Sequence, residues 1–361
     1  MKKSLLCAAI LAAMTGSAHA ATVTLYGVID TGIGYQKITG EGVSQSKFGM
    51  VSGTISGGRW GLRGTEDLGD GLSAIFALEA GFNPLNGKPG QGRRAFGRKA
   101  LVGLSSPDWG KIELGRQDNI TSLYFGDVDP FGWGQSWFGA SFSSANSRYD
   151  NMVMYQSPSI NGFQFGANYS FNVDDNNIGQ SGYANAANTR GIGAALKYSN
   201  GPLFAALAYE ELRMSDKVTD PATPRAWSLG AAYDFEVIKL AAAVGQTRDG
   251  WFGGQGINIF TGSGPKNSVD FPDTQSLPGL KVTGYMFGGS MPVGGSGKLM
   301  ATWQRAVPNA GDATMDMYSL GYNYDISKRT NVYAMTSYAK NFAFEEGQSS
   351  TVVVVGLRHR F

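Results

Sequence analysis

The sequence predicts an all-β fold, a sixteen-stranded antiparallel transmembrane β-barrel, on three observations. Apolar and polar residues alternate with a period of two from Ala21 to the C-terminus. Short and long connections swap along the chain, as they do when short turns face the periplasm and long loops face outward. Glycine reaches 52 of 361 residues, charged residues only 16%, and beyond the N-terminus no apolar run approaches the ~18 residues of a spanning helix. Of the 30 basic residues, Lys2 and Lys3 fall in a segment read as removed, which leaves 28 against 28 acidic ones and argues against a nucleic-acid partner.

Residues 1–20 carry Lys2 and Lys3, an apolar stretch from Leu5 to Met14, and Ala18-His19-Ala20 before Ala21. This is the pattern of a secretory signal cut after Ala20, with the barrel as 21–361. The only cysteine, Cys7, lies near the start of that apolar stretch, too early to be lipidated, so the mature chain holds no thiol, disulfide or thiolate metal site. His19 leaves with the signal, and His359 faces lipid by alternation. A His-based triad or a multi-His zinc site cannot be assembled from one chain, and no enzyme chemistry, metal or cofactor is expected.

The first strand runs from Ala21 to Gln36, with Val23, Leu25, Ile29, Ile33 and Tyr35 on an oily face and Thr22, Thr24, Tyr26 and Asp30 on a wet one. Fourteen more fall near 58–66, 71–83, 93–105, 110–118, 148–157, 162–172, 190–199, 202–213, 225–235, 238–248, 280–291, 298–307, 314–325 and 330–340. The last, from Ser350, sets Val353, Val355, Leu357, His359 and Phe361 against Val354, Gly356, Arg358 and Arg360. Each strand is about 10 residues, enough to cross a bilayer when tilted. Turns such as EDLGDG, SPDWG, SNGP and DISKR alternate with long segments at 37–57, 119–147, 173–189 and 249–279. Lipid cannot satisfy free N–H and C=O groups, so the first strand must pair with the last. Tyr26, Trp60, Trp109, Tyr169, Tyr198, Tyr233, Tyr322 and Phe361, near strand ends, read as interfacial girdles.

The segments LYGVIDTGI, GRWGLRGTEDLGDGL, RRAFGRKALVGLSS, GKIELGRQ, SPSINGFQFGANYSF, YDISKRTNVYA and the terminal GLRHRF follow one another along 21–361. In this order the chain resembles the general diffusion porins of Gram-negative bacteria, of the neisserial and burkholderial type. The resemblance implies a homotrimer of such barrels in the outer membrane. Each barrel would fold its third long loop inward as a constriction loop around a water-filled pore. Small hydrophilic solutes and ions would be the cargo, with outer-membrane lipid and lipopolysaccharide as surroundings. It also implies a barrel assembly machinery that reads the terminal pattern ending in Phe361.

On that resemblance the constriction loop is the segment DNITSLYFGDVDPFGWGQSWFGASFSSANS, which offers Asp127 and Asp129 and the apolar anchors Phe131, Trp133, Trp137 and Phe138. An external loop packed on itself or on a neighbouring subunit is the other reading. A basic wall is expected opposite. Trp60 and Leu62 take the oily face, which puts Arg59 and Arg63 on the wet one; Tyr149, Val153 and Tyr155 likewise leave Arg148 and Asp150 inward. Ala100, Val102 and Leu104 look outward, favouring Lys99 in the lumen and leaving Arg98 outward or at a subunit contact. Arg116 shares parity with Ile112 and Leu114 and reaches the pore only if Gly115 bulges or the strand has ended. The family's basic cluster carries over best to Arg59 and Arg148, with Lys99 or Arg98 as third member. Arg59, Arg148 and Lys99 against Asp127 and Asp129 predict a weak anion preference.

Other apparent motifs fall away. In Gly294-Gly295-Ser296-Gly297-Lys298, a phosphate loop would need Gly in place of Pro292 and Ser or Thr in place of Leu299. Glu66, Asp67 and Asp70 read as a periplasmic turn. Nothing in the sequence supports calcium at Asp174 and Asp175.

Overall fold

The computed structural model describes residues 22–132, 138–173, 186–218, 221–252, 275–309 and 313–361. The signal segment, Trp133, Trp137, Asp174 and Asp175 lie outside the described residues. Seventeen strand segments form one antiparallel sheet. They are β1 (Thr22–Gly40), β2 (Val43–Ser52), β3 (Arg59–Gly69), β4 (Leu72–Gly81), β5 (Lys99–Ser106), β6 (Gly110–Asp118), β7 (Arg148–Gln156), β8 (Phe163–Ser170) and β9 (Arg190–Asn200), then β10 (Leu203–Arg213), β11 (Arg225–Asp234), β12 (Lys239–Trp251), β13 (Gln275–Val293), β14 (Gly297–Pro308), β15 (Met315–Asp325), β16 (Thr330–Lys340) and β17 (Ser349–Arg360). One short helix, α1 (Ile120–Phe125), follows β6.

The seventeen segments make sixteen staves because β2 and β3 share one. β1 pairs along one edge with β17 and along the other first with β3 and then with β2. Between Val28↔Arg59 and Thr31↔Ser52, three steps along β1 face seven along its neighbour, so residues 53–58 leave the ladder. The segment expected as a loop at 37–57 is therefore mostly strand, turning on Glu41 and Gly42. Its polar run VSQSKFG lacked the oily face of a barrel stave, and the strand here rises beyond the apolar belt. The excursion at 53–58 is held by Asp30, whose Oδ2 accepts from the N–H groups of Ile55 (2.9 Å) and Ser56 (2.7 Å) while Oδ1 accepts from the Tyr333 hydroxyl (2.6 Å).

The β1–β17 pairing closes the barrel, and with it every strand edge that lipid could not satisfy. The turns after β3, β5, β7, β9, β11, β13 and β15 and both ends of the described chain lie at one rim; the tip of the β1–β2 hairpin and the strand ends that lead into the longer connections lie at the other. Exposure alternates as the sequence predicts: Val23, Leu25, Val102, Leu104, Leu229, Val353 and Val355 point outward, and their polar or small neighbours point in. Among the expected girdle aromatics Trp60, Trp109, Tyr233, Tyr322 and Phe361 are exposed, whereas Tyr26 turns inward to donate to Glu79 Oε2 (2.9 Å).

Candidate functional site

Residues 119–132 and 138–147, between β6 and β7, fold into the lumen, and the sequence supplies both the neck and the anchors. Asn119 caps α1: its Oδ1 accepts from the Ser122 N–H (3.0 Å) and from the Ser147 N–H (3.2 Å), and its amide donates to the Ala145 carbonyl (3.0 Å). The two ends of the loop are thereby tied together. On the inner wall Asn168 Oδ1 accepts from the Ile120 N–H (2.8 Å), Glu210 Oε1 from the Thr121 hydroxyl (3.1 Å), and Gln304 Oε1 from the Phe142 N–H (3.3 Å). Burial pushes the Tyr124 phenol up, well above its ordinary range, so it stays a donor, here to the Phe165 carbonyl at 3.1 Å.

The wall beneath is made of small residues. A Cβ on Gly166 would strike Ile120, on Gly230 Phe125 and Val128, on Gly245 the Ser143 carbonyl, and on Gly284 the Phe142 carbonyl. Ala195, Ala206, Ala208, Ala226, Ala232, Ala241 and Ala243 complete this floor, and the loop's Ile120, Phe125, Val128 and Phe142 are buried against it or beside it. Phe131 and Phe138 pack ring to ring with centroids 5.7 Å apart.

Opposite the loop, β3–β7 present a charged wall across a gap of about 330 Å³, bounded by Arg59, Glu79, Arg98, Lys99 and Asp118 on the wall and by Asp127 on the loop. Glu79 takes Arg98 at 2.6 Å and Arg59 at 3.7 Å; Asp118 takes Arg148 at 2.8 Å and Lys99 at 4.0 Å; Asp150 takes Arg116 and Arg94, each at 2.7 Å. Carboxylates thus hold the guanidinium groups in place without matching them in number.

Arg98 does not face outward. It precedes the β5 ladder, its N–H donates to the Glu79 carbonyl (3.0 Å), and strand parity does not apply there. Lys99 reaches the lumen too. The β6–β7 register shifts between Gly115 and Gln117, and this bulge swings Arg116 inward to Asp150. The same irregularity, with Asn151 in the left-handed region (φ 48°), buries Tyr149 among the loop residues, although parity with Val153 placed it on the oily face. Arg63 lies four residues nearer the short-turn rim along β3 than Arg59, its guanidinium 5.2 Å from the Tyr26 ring centre. Asp129 is buried and turned into its own loop, accepting from the Phe131 N–H (2.9 Å), whereas Asp127 is exposed at the gap. Phe361 sits far from this wall, at the seam. Sequence reasoning passed over Arg94, Glu79 and Asp118. A lone acid in the apolar run LSAIFALEAG was the available signal for Glu79.

A closed sixteen-stave barrel narrowed by an inner loop against a basic wall defines a diffusion pore of the outer membrane. The chain belongs to the Gram-negative porin family, whose model matches residues 7–342. It is similar at 51% identity, over the whole of both chains, to an outer membrane porin protein of Bordetella pertussis, and at 31%, again over both whole chains, to outer membrane porin protein 32 of Delftia acidovorans. Among solved structures it resembles the anion-selective porin from Comamonas acidovorans, with TM-score 0.72 and 28% identity across 94% of this chain and 100% of that one. It is an outer-membrane porin, a water-filled channel for passive diffusion of ions and small hydrophilic solutes.

Proposed function

We propose that the channel prefers anions weakly and that the charged wall around the gap sets this preference. The observation that supports the reading is the count of charge: among the described residues the six cations Arg59, Arg94, Arg98, Lys99, Arg116 and Arg148 are gathered around the three carboxylates of Glu79, Asp118 and Asp150. From the loop side Asp127 opposes them. Low-dielectric walls weaken screening, so the surplus acts on any ion in the gap. The solved relative described as anion-selective agrees in sign. Asp129 in this reading serves its own loop turn and contributes little field at the gap, and Arg63 lines the path below it.

Solutes pass without chemical conversion. Three chains assemble as a homotrimer within outer-membrane lipid and lipopolysaccharide, after export by a signal cut behind Ala20 and insertion by the barrel assembly machinery. Replacing Arg59 and Arg148 together with Gln is expected to shift the zero-current potential in a salt gradient toward cations at about 0.1 M salt. The shift shrinks near 1 M, as the Debye length falls from about 10 to 3 Å. An unchanged potential at low salt would remove these two arginines from the selectivity site.

A further inference from the structure

We propose that the lipid-facing wall of β11–β13 carries a binding site for the phosphates of an anionic outer-leaflet lipid, built on Arg225, Arg248 and Lys281. Register places Arg225 directly opposite Arg248, and Arg248 directly opposite Lys281, so three cations stand side by side across three staves. All three are exposed and share the outward face with Trp227, Leu229 and Tyr285. Like charges at directly opposed positions destabilise a sheet, since their Cβ atoms lie only about 5 Å apart. An arrangement of this kind is favourable when an external anion joins it.

Among the described residues the row is poorly neutralised from within. Asp249 reaches Arg225 (3.2 Å), Glu211 turns to Arg213 (3.4 Å), and Arg248 donates to the amide oxygen of Gln246 (2.6 Å). Neither Arg248 nor Lys281 has a carboxylate at ion-pair distance among the described residues. The neighbouring row across β14–β16 is built differently. There Arg305 opposes Asp316, which opposes Lys340, and Asp316 accepts two bonds from Arg305 at 2.8 and 2.9 Å. Alternating signs satisfy that row internally, whereas the row of three cations invites a partner.

Depth identifies the partner. Nine residue steps along β12 lead from Lys239 at the short-turn rim to Arg248. At ~3.4 Å per residue and a tilt of about 40° they span roughly 23 Å, close to the height of a barrel's apolar band. The cations therefore stand at the boundary where headgroup phosphates lie, on the rim opposite both chain ends, which faces outward. Tyr209 and Trp227, paired across β10 and β11, form the girdle just beneath. A phosphorylated glycolipid presents several phosphates at this depth, and the guanidinium groups can take them by charge-assisted hydrogen bonds.

Native mass spectrometry of the purified, folded barrel in detergent tests the site, with diphosphorylated lipid A, its dephosphorylated form and inorganic phosphate as probes. The R225Q/R248Q/K281Q variant is expected to retain at least about tenfold less diphosphorylated lipid than wild type, and wild type to retain little of the dephosphorylated form. R305Q should behave as wild type, because Asp316 already occupies that arginine. All variants should keep wild-type conductance, as these side chains face lipid, and R248E serves if the triple variant fails to fold. Equal retention by the triple variant, retention that ignores the lipid's phosphates, an equal loss in R305Q, or inorganic phosphate binding as tightly as the lipid would each overturn the proposal.

Discussion

Asp30 lies at 0% exposure on the barrel seam and accepts three hydrogen bonds, two from backbone N–H groups of the excursion at 53–58 and one from the Tyr333 hydroxyl. The excursion matters to the pore because the Gly57 carbonyl accepts from the Arg59 guanidinium at 3.2 Å. Replacing Asp30 with Ala leaves two buried N–H groups and one hydroxyl without their acceptor, and should cost about 1–3 kcal/mol, or more where water cannot enter. A lower thermal midpoint for loss of the barrel band on gels checks this; an unchanged midpoint would mean that strand pairing alone holds the excursion. At this scale the sequence is legible where the ladder is regular. Arg59, Lys99 and Asp150 follow from parity, whereas Arg98, Arg116 and Tyr149 sit at a strand start or beside the Gly115 bulge, where one extra residue reverses every inference.

The inward loop and its floor are a matched pair of elements. Alternation marks the inner positions of β9–β13 as small, but a small residue facing water and one making room for a loop look identical in sequence. Only the contacts of Gly230, Gly245 and Gly284 with loop atoms separate the two roles. Gly284→Val tests the match: its side chain must displace the Phe142 backbone toward the lumen, since strand β13 behind it cannot yield. Single-channel conductance in a planar bilayer should fall measurably, with the barrel intact. Gly49→Val, where an added Cβ meets nothing within 4 Å, should leave conductance as it is. Equal effects from the two would show that the loop is not seated by its floor. The hairpin of β1 and β2 was hidden for a different reason. Long segments read as loops because short and long connections alternate along the chain, but a strand that rises above the membrane is free of the apolar alternation that betrays the rest.

At the scale of the whole molecule, the trimer reading predicts a slow oligomer band in unboiled detergent gels that collapses on heating; a solely monomeric species from native lipid would count against it. The barrel itself depends on one seam. β1 and β17 are the ends of the chain, so this pairing has the largest sequence separation in the sheet and is the last to be enforced by local contacts. Its final rung is Phe361, whose N–H donates to the Gly27 carbonyl (3.1 Å) and whose carbonyl accepts from the Gly27 N–H (3.1 Å). The ring lies over Gly27, where a Cβ would strike it, while its outer face is 43% exposed among the interfacial residues. Deleting Phe361 removes both bonds and uncovers the seam at the rim where lipid begins, and backbone groups left unpaired in hydrocarbon cost several kcal/mol each. Deleting Asn86 and Gly87 from an exposed turn at the opposite rim removes local turn bonds, those to the Asn83 carbonyl and the one that Asn86 Oδ1 accepts from the Lys88 N–H. The amount of heat-modifiable barrel in the outer membrane should therefore fall severalfold without Phe361 and stay near wild type without the turn residues. Normal levels in the Phe361 deletion would show that the remaining rungs from Arg360 to Ser349 close the barrel unaided.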